Sequence, residues 1–175
     1  MPTGAETAQT RWENNFTSGR SFSLDTSEEV VHLWRALASS DPSGLPDLRG
    51  VVALVVDDDP DAREIFAASL IHAGADVQTA ASARQALTIL KTRVPDVVVT
   101  DMSMPGEDGL WLLNQIKRHS PEAARVPVVV VTGHRHLYGD RDMLSVGFQR
   151  YMTKPVDPWQ LCGTVRDLTH GAHRG

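Results

Sequence analysis

Six side chains in this 175-residue chain stand where they can do chemistry: the consecutive carboxylates Asp57, Asp58 and Asp59, a further carboxylate at Asp101, the hydroxyl of Thr132 and the ammonium of Lys154. Each group follows a short strand-like run: VVALVV before Asp57, DVVVT before Asp101, VVVV before Thr132 and RYMT before Lys154. Carboxylates brought close together repel one another, and a bound cation is the least costly way to keep them ionised at neutral pH. All-oxygen ligands favour Mg²⁺ or Mn²⁺, and magnesium prefers one or two carboxylates completed by waters and phosphate oxygens. A carboxylate can itself attack phosphorus to give an acyl phosphate, while metal, ammonium and hydroxyl neutralise the charge that develops. Asp101 is the only candidate nucleophile at its strand.

Taken singly, each of these residues has an ordinary reading. A DDDP run caps a helix as readily as it binds a metal. A threonine ending a valine run is usually a strand residue, and a lysine before proline usually sits at an exposed turn. Separate caps and turns do not account for all four appearing together at the ends of four strands.

The elements that must position them are legible from Val51 onward. Five apolar runs alternate with amphipathic segments, which predicts helices over 60–73, 82–92, 109–119, about 137–146 and 158–168. Val97 to Val99 and Val128 to Val131 are apolar at every position, as parallel strands covered on both faces require. A doubly wound α/β sheet follows, and such sheets bind ligands beyond the carboxyl ends of their strands. Ser82 marks one helix start, and Asp157 with Pro158 marks another. The segment HRHLYGDRDMLSVGF contains Gly139 and lacks a regular apolar face, so the fourth helix is expected to be short or mobile.

Ahead of this domain lies an extension, residues 1–49, expected to be partly disordered. Its first 25 residues show no period. Thr26 and Glu29 then form a capping box, and Val30, Leu33, Trp34 and Leu37 fall on one face of a predicted amphipathic helix over 26–39. The linker SSDPSGLPD leads into the compact domain at 50–170, with 171–175 as a tail.

Composition narrows the function. The formal charge is −5 and no Lys or Arg stripe is present, which argues against direct nucleic-acid binding. One cysteine, Cys162, cannot form an internal disulfide, and the N-terminus lacks the layout of a secretion signal, so a cytoplasmic location is expected. Apolar stretches fall far short of the roughly 20 residues that span a bilayer, so no membrane insertion is expected.

The motifs LVVDDDP, VVVTDMSMPGEDG, VVVVTG and YMTKPV resemble the receiver domains of bacterial response regulators, over about residues 50–170. The intervals fit an uninterrupted receiver: 43 positions from Asp58 to Asp101, 31 on to Thr132 and 22 on to Lys154. The resemblance implies a flavodoxin-like five-stranded sheet of order 2-1-3-4-5 with five flanking helices. It implies that Asp101 accepts a phosphoryl group from a histidine kinase or histidine phosphotransfer protein. Mg²⁺ would be bound by Asp58, Asp101 and the Ser103 carbonyl, with Asp57 joining through water. Thr132 would hydrogen-bond the phosphoryl group and Lys154 would pair with it, while Met104, Pro105 and Gly109 shape the following loop. Tyr151 would turn inward as Thr132 moves, reshaping the face made by the fourth helix, fifth strand and fifth helix, where downstream proteins or a second receiver bind; a plain core aromatic is the alternative. Ser103 and His134 occupy the two positions that set phosphoryl lifetime in the family, the latter by gating water; a solvated loop histidine is the alternative.

Trp159 stands where the family usually has a polar residue, which suggests either a contact surface or packing against the extension. Cys162 reads as a small core residue. The leading expectation is a signalling switch without an attached effector, acting on no substrate but its own Asp101, whose output is protein contact. The helix over 26–39 is expected to dock on the receiver, pair two protomers, bind a target or serve as a plain add-on. The rival is an Asp-nucleophile phosphohydrolase, which would place its nucleophile and a second Asp two residues later on the first strand, followed by a Gly-Thr turn; this chain has DDDPD there.

Overall fold

The computed structural model describes residues 46–133 and 144–171. The predicted helix over 26–39, His134, most of the predicted fourth helix and residues 172–175 lie outside them. Five strands, β1 Val52–Val56, β2 Asp76–Ala80, β3 Val97–Asp101, β4 Val128–Thr132 and β5 Arg150–Thr153, pair in parallel in the order β2-β1-β3-β4-β5. The helices α1 Pro60–His72, α2 Ala83–Leu90, α3 Gly109–His119 and the C-terminal helix Pro158–Gly171 cover the two faces, with a 3₁₀ turn at Ala123–Arg125. The predicted doubly wound sheet is the observed one.

Two cores explain why the central strands are apolar at every position. Leu54, Val56, Val98, Val128 and Val130 pack with Ala86 and Leu90 of α2 and Leu112 and Ile116 of α3. The intervening residues Ala53, Val55, Val97, Val99, Val129 and Val131 point to the other face, against Phe66 and Leu70 of α1 and Leu161 and Val165 of the C-terminal helix. A strand alternates its side chains between faces, so two buried faces require an unbroken apolar run. Burying each of the valine, leucine, isoleucine and phenylalanine side chains among them contributes roughly 1.5–3 kcal/mol.

The helix starts are fixed by side-chain caps. Asp59 accepts from the Asp61 N–H at 3.0 Å, Ser82 from Gln85 at 3.2 Å, Asp108 from Trp111 at 2.7 Å and Asp157 from Gln160 at 2.9 Å. Each satisfies one of the orphan donors of a first helical turn. β3 and β4 each extend one residue past the run that marks them, because Asp101 and Thr132 still hold ladder positions opposite Val131 and Thr153. The C-terminal helix runs beyond 168, where Thr169 is buried and its hydroxyl donates to the Val165 carbonyl at 2.9 Å.

Where α3 begins, its backbone presses against the end of β3. The Gly109 N–H donates to the Met102 carbonyl at 3.0 Å, and a Cβ added there would lie 2.5 Å from the Asp101 carbonyl oxygen and 3.2 Å from the Met102 Cα. Both neighbours are backbone and cannot step aside. Gly109→Ala is expected to lower stability by about 1–3 kcal/mol, the range for overpacking a closed site. Chemical denaturation of the variant checks this; a midpoint equal to wild type would mean that α3 shifts freely.

Candidate functional site

At the carboxyl ends of β1, β3 and β5, four charged side chains meet. The Lys154 Nζ donates to Asp57 Oδ2 at 2.9 Å and lies 3.0 Å from Asp101 Oδ1. One ammonium thus bridges carboxylates from two different strand ends. Carboxylate oxygens of Asp57, Asp58 and Asp101 lie within 4.8 Å of one another, with Asp57 and Asp101 buried and Asp58 exposed.

The local chain holds these groups in place. The Asp59 N–H donates to Asp57 Oδ1 at 3.0 Å, and the Arg63 guanidinium reaches back from α1 to the Asp57 carbonyl at 2.6 Å. Asp59 itself is spent as the cap of α1, which leaves Asp57 and Asp58 for the cluster. On β3 the Ser103 N–H donates to Asp101 Oδ2 at 2.8 Å, orienting the carboxylate from the loop side. Arg84 of α2 pairs with Glu107 and lies 5.9 Å from the centre of the Trp111 ring, tying the loop after Asp101 to α2 and α3. Neither Arg63 nor Arg84 was singled out in the sequence. Arg63 reaches a backbone carbonyl six positions upstream, and neither contact follows a motif.

The remaining candidates sit as follows. Thr132 is buried at the end of β4, and its carbonyl accepts from the Lys154 N–H at 2.9 Å, so the hydroxyl-bearing and ammonium-bearing residues adjoin. Tyr151 is half-buried, packs against the α2/α3 core, and has a buried hydroxyl without a hydrogen-bond partner among the described residues. Met104 is buried and Pro105 exposed in the loop that ends at Gly109. Cys162 is buried, its thiol donates to the Ser69 carbonyl at 3.4 Å, and burial pushes its pKa up to about 12, which makes it inert. Trp159 is exposed at the start of the C-terminal helix.

Electrostatics set the character of the cluster. Burial raises the Asp57 carboxyl above its ordinary range; the Lys154 hydrogen bond and charge pull it back, and the Asp101 charge adds to the rise. Burial works against the Lys154 ammonium, yet its hydrogen bonds to Asp57 and Asp101 outweigh that and lift its pKa above the ordinary value. Three close carboxylates with one ammonium leave excess negative charge in a partly desolvated place. That all-oxygen donor set fits a hard divalent cation.

Comparison with known proteins agrees with this geometry. The family model for the response regulator receiver domain matches residues 53–166. The chain is 38% identical over 106 residues to the DNA-binding transcriptional regulator NtrC of Klebsiella pneumoniae, covering 61% of this chain and 22% of NtrC. It is 37% identical over 113 residues to a 14.6 kDa protein of Leptolyngbya boryana, covering 65% of this chain and 86% of that one. Among solved structures it superposes on the chemotaxis response regulator CheY4 of Vibrio cholerae with a TM-score of 0.62 at 25% identity, covering 67% of this chain and 98% of that chain. A receiver domain protein of Clostridium thermocellum gives a TM-score of 0.64 at 29% identity, covering 70% and 97%. The chain belongs to the response-regulator receiver-domain family, a class that serves phosphorylation-dependent two-component signalling. It spans about a fifth of NtrC, and the DNA binding in that name is NtrC's own. Among the described residues no helix is long and apolar enough to cross a membrane.

A stability test follows from the Asp57 charge. Its native pKa lies above the ordinary 3.8, so its ionisation is a cost that grows as pH rises from 3.8 through the raised native value. Lys154 contributes the opposite sign, with stabilisation complete below 10.5 and lost only as pH rises through its raised native pKa. Asp57→Asn removes the buried charge but leaves Lys154 paired with Asp101, so no unpaired buried ammonium results. In metal-free buffer at pH 7 the variant is expected to melt about 2–8 °C higher, as a gain near 1 kcal/mol gives. The gain should shrink below the ordinary carboxylate range, and Mg²⁺ should raise the variant's Tm less than the wild type's. Calorimetry at both pH values checks this; a variant less stable than wild type at each would contradict it.

Proposed function

We propose that Asp101 is the phosphoryl acceptor of this receiver, taking the group from a phosphohistidine on a histidine kinase or phosphotransfer protein. An Asp101 carboxylate oxygen forms the new bond to phosphorus as the bond to the imidazole nitrogen breaks, the electron pair staying on that nitrogen. The observation that supports this reading most is the Lys154 ammonium held 2.9 Å from Asp57 and 3.0 Å from Asp101 beside a three-carboxylate cluster. Lys154 can release Asp57 and pair with the incoming phosphoryl oxygens, which carry the charge of the transition state. Asp57, Asp58, Asp101 and the Ser103 carbonyl are the groups assigned to hold Mg²⁺, with Mn²⁺ as the alternative. When bound, the cation neutralises the carboxylates and the phosphoryl oxygens together. Thr132, adjoining Lys154 at the strand end, is assigned the hydrogen bond to the phosphoryl group.

Tyr151 is assigned the switch. Among the described residues its buried hydroxyl has no hydrogen-bond partner, an arrangement that costs free energy and favours exchange with another position. The output is read as a change in protein contacts on the face around β5. Leu144, Val146 and Trp159, the large apolar side chains exposed among the described residues, flank that strand in the chain and support this reading. Ser103 and His134 are assigned the phosphoryl lifetime.

Intact mass of the full chain and of Asp101→Asn after incubation with acetyl phosphate tests the proposal. The wild type is expected to gain about 80 Da in the presence of Mg²⁺ and to lose that gain with a chelator, while Asp101→Asn gains nothing. An equal adduct on Asp101→Asn would place the chemistry elsewhere.

A further inference from the structure

Among the described elements helix α1 packs chiefly against β1, β2 and the C-terminal helix, yet its remaining sides are shielded as well. Ala62, Ile65, Phe66, Leu70 and Ala73 form its inward face, packed against β1, β2 and the C-terminal helix. At 100° per residue, Glu64, Ala68 and Ile71 fall on the opposite side, with Ala67 at its border. A helix with one face on a sheet normally turns a charged stripe outward there. Here Ala68 exposes 4% and Ala67 8%, neither Ile71 nor Glu64 is fully exposed, and no residue from Asp61 to Ala73 is. Burial is also the main cause that raises the Glu64 carboxyl. In the last turn the His72 Nε2 is buried without a hydrogen-bond partner among the described residues.

We propose that the outer face of α1 is a docking surface for this chain's own residues 26–39. Their apolar stripe, Val30, Leu33, Trp34 and Leu37, is made of large side chains, and the α1 stripe offers two alanines as the complementary shallow groove. The lengths match. Thirteen residues of α1 span about 20 Å and fourteen residues of helix about 21 Å. The entry point matches as well: Leu48 is fully buried in the α1 core, and its N–H donates to the Ala73 carbonyl at the end of α1 at 2.8 Å. The chain therefore enters the described fold beside α1, and the eight residues 40–47 reach at most about 29 Å, enough to lay residue 39 anywhere along the helix. Docking in this way gives the extension a fixed place on the receiver, alongside α1.

Hydrogen exchange by mass spectrometry on the full chain, on Ala68→Glu and on Leu33→Asp tests the proposal. Residues 26–39 of the wild type are expected to exchange at least tenfold more slowly than the free peptide of that sequence, and both variants should lose that protection while β1 and β3 keep theirs. Fast exchange of 26–39 in the wild type overturns the proposal, as does protection that survives in Ala68→Glu. Should Ala68→Glu unfold the receiver, Leu33→Asp decides alone: release of 26–39 supports docking and retained protection overturns it. Protection that disappears on dilution, together with a dimer mass in light scattering, would assign the surface to a second copy and overturn the intrachain reading.

Discussion

One buried ion cluster governs the arrangement of this receiver: a single lysine, Lys154, placed between Asp57 and Asp101. Desolvating two carboxylates without compensation would cost several kcal/mol per charge. The ammonium meets part of that cost, and the Asp59 and Ser103 N–H groups meet more through hydrogen bonds to the same carboxylates. The compensation is incomplete, because Asp58 adds a third negative charge within 4.8 Å. The site is therefore stable enough to exist and charged enough to draw in a cation or to yield its lysine to a phosphoryl group.

The fold supplies this cluster at little cost to itself. Parallel strands put the ends of β1, β3, β4 and β5 on one edge of the sheet, and two apolar cores fix the strands in register. The caps then begin each helix close behind the strand end, so the site is framed by backbone that is already hydrogen-bonded. The tight start of α3 at Gly109 belongs to the same economy: the loop after Asp101 has room to return only because that residue lacks a side chain. Arg84 and Glu107 close the loop from the α2 side.

Much of this was legible in the residues. Unbroken valine runs are what strands covered on both faces require, and Ser82 and Asp157 marked helix starts that the structure reproduces. The acidic, hydroxyl and ammonium groups after those runs named the edge where chemistry would gather. Less visible were contacts made between chain segments without a local pattern, such as Arg63 to the Asp57 carbonyl. The role of Asp59 was also open in the sequence, since DDDP suits a cap and a metal cluster alike, and the structure divides it: Asp59 caps α1 while Asp57 and Asp58 join Asp101. The second apolar stripe of α1 is hidden in the sequence because both faces of that helix carry alanine and isoleucine, which blurs the period.

The central claim is that Lys154 is a movable counter-charge, held by Asp57 and Asp101 until a phosphoryl group takes it. A crystal structure of the full chain with Mg²⁺ and beryllofluoride, a mimic of the phosphoryl group on aspartate, addresses it directly. The account predicts beryllofluoride on Asp101, the cation among Asp57, Asp58 and Asp101, and the Lys154 Nζ moved away from Asp57 onto a fluoride. Beryllofluoride bound on Asp101 with the Lys154 Nζ still on Asp57 and no contact to a fluoride would contradict it.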